Sequence, residues 1–357
     1  MQQQDNSTLI NAIKKATYSI TNHTKIYESF LLVESGTGDF SQSFYTGNRT
    51  ADSPFVMASI TKMFTTSCIL MLVEDKKISL NDRISKYIEE SILVGLHVYN
   101  EKDYSFDLTI SHLLFQNSGL PDYFEESGIK NQVIIDDKYI SFEEIITLTK
   151  QIKPHFPPGH KTKAHYADIH FDLLGYILEQ IVKQPIHLIF ESMLFQPLGM
   201  KRTYLPVSES DFIPNIYYND RQISCANIVR SSKASGGCIS TATDLMLFLK
   251  AFYTEKLFSH YTLANSTIYR KLQSSMGPLY YGGGFMRMNM KSILTLFMGK
   301  GELLGHTGTT GSFAFYYPAA DYYFVGDLNQ IADPSLPIKL AMKLAFVLGK
   351  QIKSRKV

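Results

Sequence analysis

Strand-like segments lie near both ends of this 357-residue chain, and helix-like segments fill the middle. The simplest assembly pairs the end strands into one antiparallel sheet and sets the helical middle beside it. At the first end, Ser29-Phe-Leu-Leu-Val33 and Phe40 to Tyr45 flank the Gly-rich turn Ser35-Gly-Thr-Gly-Asp, as antiparallel neighbours do. At the other end, aromatic and β-branched runs alternate with glycines. Tyr280 to Met290, Ser292 to Met298, Gly305 to Thr309, Ser312 to Tyr317 and Tyr322 to Leu328 read as strands, the last two joined by Pro318-Ala-Ala-Asp. Amphipathic spacing predicts helices at Thr8 to about Ile20, Ser59 to about Val73, Ile110 to Phe115, Phe142 to Lys150, Phe171 to Val182, Ile186 to Phe195, Asp244 to Phe252 and Leu336 to Lys350. Pro157-Pro158-Gly159 and Gln196-Pro-Leu-Gly199 punctuate them where helices should end. The expected fold class is α/β of the α+β type. Residues 1–357 are expected to form a single domain, its sheet lobe built from about 8–55 and 279–353 and its helical lobe from about 56–278.

Hydrophobic residues make up 45% of the chain and charged residues 19%, enough for a large core. The net charge is +2, with Lys and Arg dispersed, so no nucleic-acid partner is expected. Three cysteines, Cys68, Cys225 and Cys238, include no C-x-x-C pair and suggest neither a disulfide framework nor a zinc site. No run approaches a membrane span, and the start Met-Gln-Gln-Gln-Asp-Asn lacks the features of a secretion signal. The expectation is a cytoplasmic protein if Met1 is the native start, or a cell-envelope or secreted one if a leader has been removed.

Chemistry concentrates in Phe55-Val-Met-Ala-Ser-Ile-Thr-Lys-Met-Phe64. Ser59 and Lys62, three apart at a helix start, share one face. A serine hydroxyl is a poor nucleophile at neutral pH, and an adjacent amine can take its proton as it attacks. Burial of the apolar residues that follow, Met63, Phe64, Ile69, Leu70, Leu72 and Val73, would partly dehydrate the amine. The competing reading is a solvated helix start. A second S-x-x-K string, Ser127-Gly-Ile-Lys130, lies in a polar, turn-like stretch instead.

Two further stretches give the pair company. In Pro157-Pro-Gly-His-Lys-Thr-Lys-Ala-His-Tyr-Ala-Asp168, Tyr166 enters a buried helix and can reach a cleft, or simply pack there with Asp168 or Asp172 as the N-cap. In Gly305-His-Thr-Gly-Thr-Thr-Gly311, glycines permit close approach of a ligand. Free N–H groups on such an edge can stabilise an oxyanion, although a plain hairpin turn has the same pattern. His306 can orient a substrate, carry charge toward a carboxylate, or simply be a strand residue.

Taken in order, Ser59-Ile-Thr-Lys62, Tyr166-Ala-Asp168 and His306-Thr-Gly308 resemble the motif set of the penicillin-recognising serine hydrolases. The closest likeness is to the class C β-lactamase branch, which includes D-alanyl-D-alanine peptidases, D-amino-acid amidases and esterases. Ser118-Gly-Leu-Pro-Asp-Tyr123, Phe156-Pro-Pro-Gly159, Phe195-Gln-Pro-Leu-Gly-Met200 and Ala234-Ser-Gly-Gly-Cys-Ile-Ser-Thr-Ala-Thr-Asp244 extend it over nearly the whole chain. The resemblance implies a covalent acyl-enzyme on a small-molecule or peptide substrate, without a cofactor. Ser59 would be the nucleophile, Lys62 its base, and Tyr166 the proton relay to the leaving group. The backbone of Ser59 and Thr309 would form the oxyanion hole, with Thr307 and Gly308 along the substrate edge.

Two positions depart from the pattern. Asp168 stands where the family usually has Asn, and an ionised carboxylate only accepts hydrogen bonds. His306 stands where typical β-lactamases have Lys, so its grip on a carboxylate should be weaker and pH-dependent. Both favour a peptidase, amidase or esterase over an efficient β-lactamase, and activity is expected to rise with pH as Lys62 and Tyr166 lose protons. The alternative is a non-catalytic or slowly acylated binder. His155, His160, His165 and His170 recur every five residues, but no regular periodicity sets all four on one side, so no metal is expected.

Overall fold

The computed structural model describes residues 2–22, 25–291 and 299–354. Among the described residues the main sheet has eight antiparallel strands: β1 (Ser29–Ser35), β2 (Ser41–Thr46), β3 (Arg270–Lys271), β4 (Tyr280–Tyr281), β5 (Met286–Asn289), β6 (Glu302–Thr307), β7 (Ser312–Tyr317) and β8 (Tyr322–Asp327), in the order β2-β1-β8-β7-β6-β5-β4-β3. The first strand of the chain thus pairs with the last, Phe30 opposite Asp327 and Val33 opposite Phe324, and the two ends share one sheet as expected. The proposed strand Ser292 to Met298 lies outside the described residues. Tyr280 to Met290 is two strands rather than one. Gly282, Gly283 and Gly284 turn the chain back, Gly282 N–H donating to the Phe285 carbonyl at 2.9 Å, so that Tyr280 faces Arg287.

Helices cover this sheet. We label α1 (Gln2–Thr21), α2 (Thr61–Glu74), α3 (Ile169–Val182), α4 (Ala226–Gly236), α5 (Ala242–Tyr253) and α6 (Leu336–Ser354). The terminal helices α1 and α6 pack on each other, α6 lies against β6, β7 and β8, and α5 against β1, β7 and β8. Cover by both helices accounts for β8 being buried at every position, where a one-sided strand would alternate. The edge strand β2 does alternate between exposed and half-buried residues.

At the centre runs α2, with eleven of its fourteen residues buried. A helix buried on all sides needs apolar residues all round or internal partners for its polar ones, and α2 uses both. Phe64 packs edge-on against Phe190, Phe195 and Phe248 at centroid distances of 6.0, 5.3 and 4.5 Å. Its hydroxyls act as bolts: Thr65 Oγ1 donates to the Ala234 carbonyl at 2.7 Å, Thr61 Oγ1 accepts from Cys238 N–H at 3.1 Å, and Ser67 Oγ donates to the Met63 carbonyl at 2.8 Å. Gly284 meets this helix with φ +88°, and a Cβ there would overlap the Thr66 side chain at 1.7 Å. Only glycine lets the β4–β5 turn come so close.

The sequence reading missed α4. Its residues Ala-Asn-Ile-Val-Arg-Ser-Ser-Lys-Ala-Ser-Gly include three serines and two small alanines with few apolar anchors, so the helical period is faint. Tertiary packing against α2 and α3 supplies what the pattern lacks. All three cysteines are free and buried. Among the described residues, no helix is long and apolar enough to cross a membrane.

Candidate active site

Ser59 sits in a 3-10 turn, Ala58–Ile60, that leads directly into α2. Ala58 has φ +46°, a left-handed conformation that costs a non-glycine residue about 1–2 kcal/mol and here aims the next side chain. Lys62 follows one turn later, fully buried. An ammonium has three N–H donors, and all three are used: Lys62 Nζ donates to Ser59 Oγ at 3.0 Å, to Asp168 Oδ1 at 2.5 Å and to the Ser235 carbonyl at 2.7 Å. The Ser235 carbonyl is turned inward by a break in α4, where Lys233 adopts φ 26° and ψ −111°.

Tyr166 and Asp168 arrive on the loop before α3. Two glutamines, neither singled out from the sequence, clasp its backbone. Gln273 Oε1 accepts from Tyr166 N–H at 2.9 Å and its Nε2 donates to the Tyr166 carbonyl at 3.3 Å; Gln116 Oε1 accepts from Ala167 N–H at 2.8 Å and from His170 Nδ1 at 2.6 Å. Nothing local marks them, because each acts across the fold. The Tyr166 hydroxyl is near enough to the Ser59 side chain to feel it electrostatically, and Lys62 Nζ lies 5.1 Å from the centre of its ring. Asp168 occupies the N-cap position of α3 but makes no capping bond; its carboxylate turns to Lys62 instead.

The surroundings of Tyr166 do not ease the loss of its proton that a rise of activity with pH was expected to draw on. Loss of water, and next the Asp168 carboxylate, push the phenol well above its ordinary value, outweighing the opposing influence of the Ser59 side chain. Tyr166 therefore keeps its proton near neutral pH, and its ionisation does not supply the expected rise in activity.

Strand β6 closes the other side. His306 is fully buried, its ring tilted against Tyr166 and edge-on to Tyr281 with centroids 5.9 Å apart in each case. Burial, with the Lys62 charge second, lowers its pKa to about 3, so the partial charge near neutrality expected for it does not occur. The tautomer follows from the neighbours. Nδ1 lies 2.7 Å from the Thr307 carbonyl, which only accepts, so Nδ1 carries the hydrogen and Nε2 receives the Tyr281 hydroxyl at 3.4 Å. Thr307 is half-buried, Gly308 buried and Thr309 exposed at the strand's end. A Cβ on Gly308 would stand 2.5 Å from the Met57 carbonyl, so glycine is what allows β6 to press against the residues just before Ser59. Ser312 Oγ and Thr310 Oγ1 fasten that contact by donating to the Met57 and Val56 carbonyls, each at 2.9 Å.

Two buried carboxyls stand behind the ion pair. Asp122 is pushed well above the carboxylate range by burial and by Asp168, and Asp172 rises to about 7 for the same two reasons. Folded Asp172 keeps its proton up to about pH 7, whereas the unfolded chain releases it near 3.8. The folded state thus binds more protons in that window, and this group's contribution to stability is lost as pH rises through it. Asp172→Asn is expected to flatten the decline, raising the thermal midpoint relative to the parent at pH 7.5 and not at pH 4.5. Equal shifts at both values, read by calorimetric melting, would remove Asp172 as the cause.

The constellation joins a serine, a lysine, a tyrosine and a His-Thr-Gly strand drawn from three distant stretches, and a profile of the Beta-lactamase family matches residues 34–336. The chain belongs to the beta-lactamase family. Within it, the "D-alanyl-D-alanine-carboxypeptidase/endopeptidase AmpH" of Escherichia coli strain K12 is 26% identical over 226 residues, 62% of this chain and 55% of that protein. A "Putative D-alanyl-D-alanine carboxypeptidase" of Salmonella agona is 27% identical over 300 residues, 74% of this chain and 66% of that one. The chain thus spans little more than half the length of AmpH. The family fold is equally plain in solved structures. D-amino acid amidase from Ochrobactrum anthropi SV3 superposes with a TM-score of 0.78 at 20% identity, covering 98% of this chain and all of that one. A D-stereospecific amidohydrolase from Streptomyces sp. gives 0.76 at 21%, covering 92% and 97%.

Proposed function

We propose that this chain is a serine hydrolase that opens amide or ester bonds through a covalent acyl-enzyme on Ser59. The observation that carries the reading is the three-way contact of Lys62 with Ser59, Asp168 and the Ser235 carbonyl. A proton passed along the 2.5 Å contact to Asp168 turns the ammonium into an amine beside the Ser59 hydroxyl. The amine takes the hydroxyl proton as Oγ bonds to the substrate carbonyl carbon. The electron pair moves to the carbonyl oxygen, held by the backbone N–H groups of Ser59 and Thr309. On collapse, Tyr166 gives its proton to the leaving nitrogen or oxygen and regains one from Lys62; water then repeats the sequence on the acyl-enzyme. A phenol pushed above its usual pKa suits the donor role, because it holds its proton until the leaving group develops charge.

The substrate class follows from His306. A neutral, buried ring supplies no cation for a substrate carboxylate, which supports neutral amides and esters over penicillins, whose carboxylate typical family members bind with a lysine. The names of the relatives, a D-alanyl peptidase and a D-amino-acid amidase, point to D-amino-acid acyl groups. The test is a panel of D-amino-acid amides, short-chain chromogenic esters, D-alanyl-D-alanine peptides and benzylpenicillin. Amides and esters are expected to turn over with kcat/KM at least about tenfold above that for penicillin, since one lost charge-assisted contact is worth about 1.5 kcal/mol or more. Penicillin as the fastest substrate would overturn the assignment of class. A long-lived adduct with every compound and no turnover would replace the enzyme by a binder.

A further inference from the structure

We propose that Glu126, His155 and His165 form a binding site for a divalent transition-metal ion of the zinc type, on the flank of the loop that carries Tyr166. The three residues come from two segments. Glu126 ends the helical turn Tyr123–Glu126, and the histidines lie on the loop between Lys150 and α3. His155 Nε2 lies 3.0 Å from Glu126 Oε2, and His165 Nε2 lies 2.7 Å from Glu126 Oε1. The two imidazoles stack with centroids 3.6 Å apart at 28°, both presenting the same nitrogen to one carboxylate. All three ligand atoms fall within 4.8 Å of one another.

Around a tetrahedral ion with bonds of ~2.0–2.1 Å, donor atoms stand roughly 3.4 Å apart. The 3.0 Å and 2.7 Å contacts need to open by about 0.4 and 0.7 Å respectively, with the ion replacing the hydrogens now shared between rings and carboxylate. The frame is already set. His155 N–H donates to the Gly119 carbonyl at 2.8 Å, Gly159 N–H to Asn117 at 3.0 Å and His165 N–H to Gln116 at 2.8 Å, so the loop is stitched to residues 116–119. Asp122 N–H donates to Glu126 Oε1 at 2.9 Å, an outer contact of the kind that orients a ligating carboxylate. Two imidazoles and one carboxylate favour zinc, cobalt or nickel over the oxygen-seeking magnesium and calcium. His155 is 36% exposed, which leaves the remaining position open to water.

The expectation of no metal rested on aligning four histidines along one segment. His170 is instead buried against Ser118 and Gln116, and the His160 Nδ1 accepts from the Thr162 and Lys163 backbone. The other two meet a glutamate that no local periodicity could supply. An ion here would clamp the residue immediately before Tyr166 to the segment that also carries Asp122, giving the site a means of stiffening the catalytic loop without taking part in the chemistry.

The test is to strip the full chain with a chelator and titrate it with Co²⁺, read by visible absorption, and with Zn²⁺, read by calorimetry and by thermal melting. One equivalent is expected to bind and to raise the melting temperature. Glu126→Gln, which keeps the side-chain shape, and His155→Ala are each expected to weaken binding by about 100-fold or more. His260→Ala, on the exposed surface, is expected to leave it unchanged. Absence of stoichiometric binding in the parent, binding that survives both first variants, or equal loss in the His260 variant would each overturn the proposal.

Discussion

Ser59→Ala is expected to abolish both turnover and the mass shift left by a fluorophosphonate or β-lactam, a loss of about 10^4-fold or more in rate. The reason is stoichiometric: without Oγ there is no atom to carry the acyl group, and the oxyanion hole alone gives only residual catalysis. Folding should survive. Ser59 Oγ accepts one bond from Lys62, and a methyl group there removes little buried surface, so the variant should melt within a few degrees of the parent. Intact mass spectrometry together with the rate decides the matter. An adduct of undiminished yield on the alanine variant would move the nucleophile elsewhere and dismantle the reading of Lys62 and Tyr166 with it.

Cutting the Lys62–Asp168 pair from its two ends should give opposite signatures in stability. Asp168→Ala leaves the fully buried ammonium with Ser59 and the Ser235 carbonyl but no counter-charge. Removing one partner of a buried pair costs about 3–5 kcal/mol, and the low end is the expectation because the Asp168 side chain is 24% exposed and solvent screens part of the effect. Lys62→Met leaves instead a carboxylate that can reach water, and fills the buried space with an apolar chain of similar length. Its stability should be unchanged or raised. Activity should fall in both, by about 10²–10⁴-fold for the loss of a general base. Chemical denaturation of the two variants beside the parent separates these outcomes. Equal destabilisation by both would mean that the contact does not behave as a buried charge held by a partner that reaches solvent.

Local pattern was a good guide wherever an element makes its own case. The α2 helix reads clearly because Met63, Phe64, Ile69, Leu70 and Leu72 recur as a buried helix requires, and β7 and β8 because aromatic and β-branched residues are bounded by Pro318 and glycines. It was a poor guide where an element depends on its neighbours. Helix α4 has too few apolar positions to declare itself, and the break at Lys233 that turns the Ser235 carbonyl toward Lys62 has no cue in the chain. Gln116 and Gln273 belong to the same class. A glutamine is an ordinary surface residue until a backbone from elsewhere arrives to be held.

The amino-acid order by itself determined the sheet built from both chain ends, the buried helix led by Ser59, and the three short motifs on which the proposal of acyl transfer rests, because residue type and spacing are local properties. Only the tertiary structure decided the charge states, the meeting of Glu126 with His155 and His165, and the direction of the Asp168 carboxylate. Those depend on which groups lose water and what stands opposite them across the fold. His306 is the plainest case: its side chain titrates near neutrality in water, yet enclosed between Tyr166, Tyr281 and the Lys62 charge it remains neutral until about pH 3.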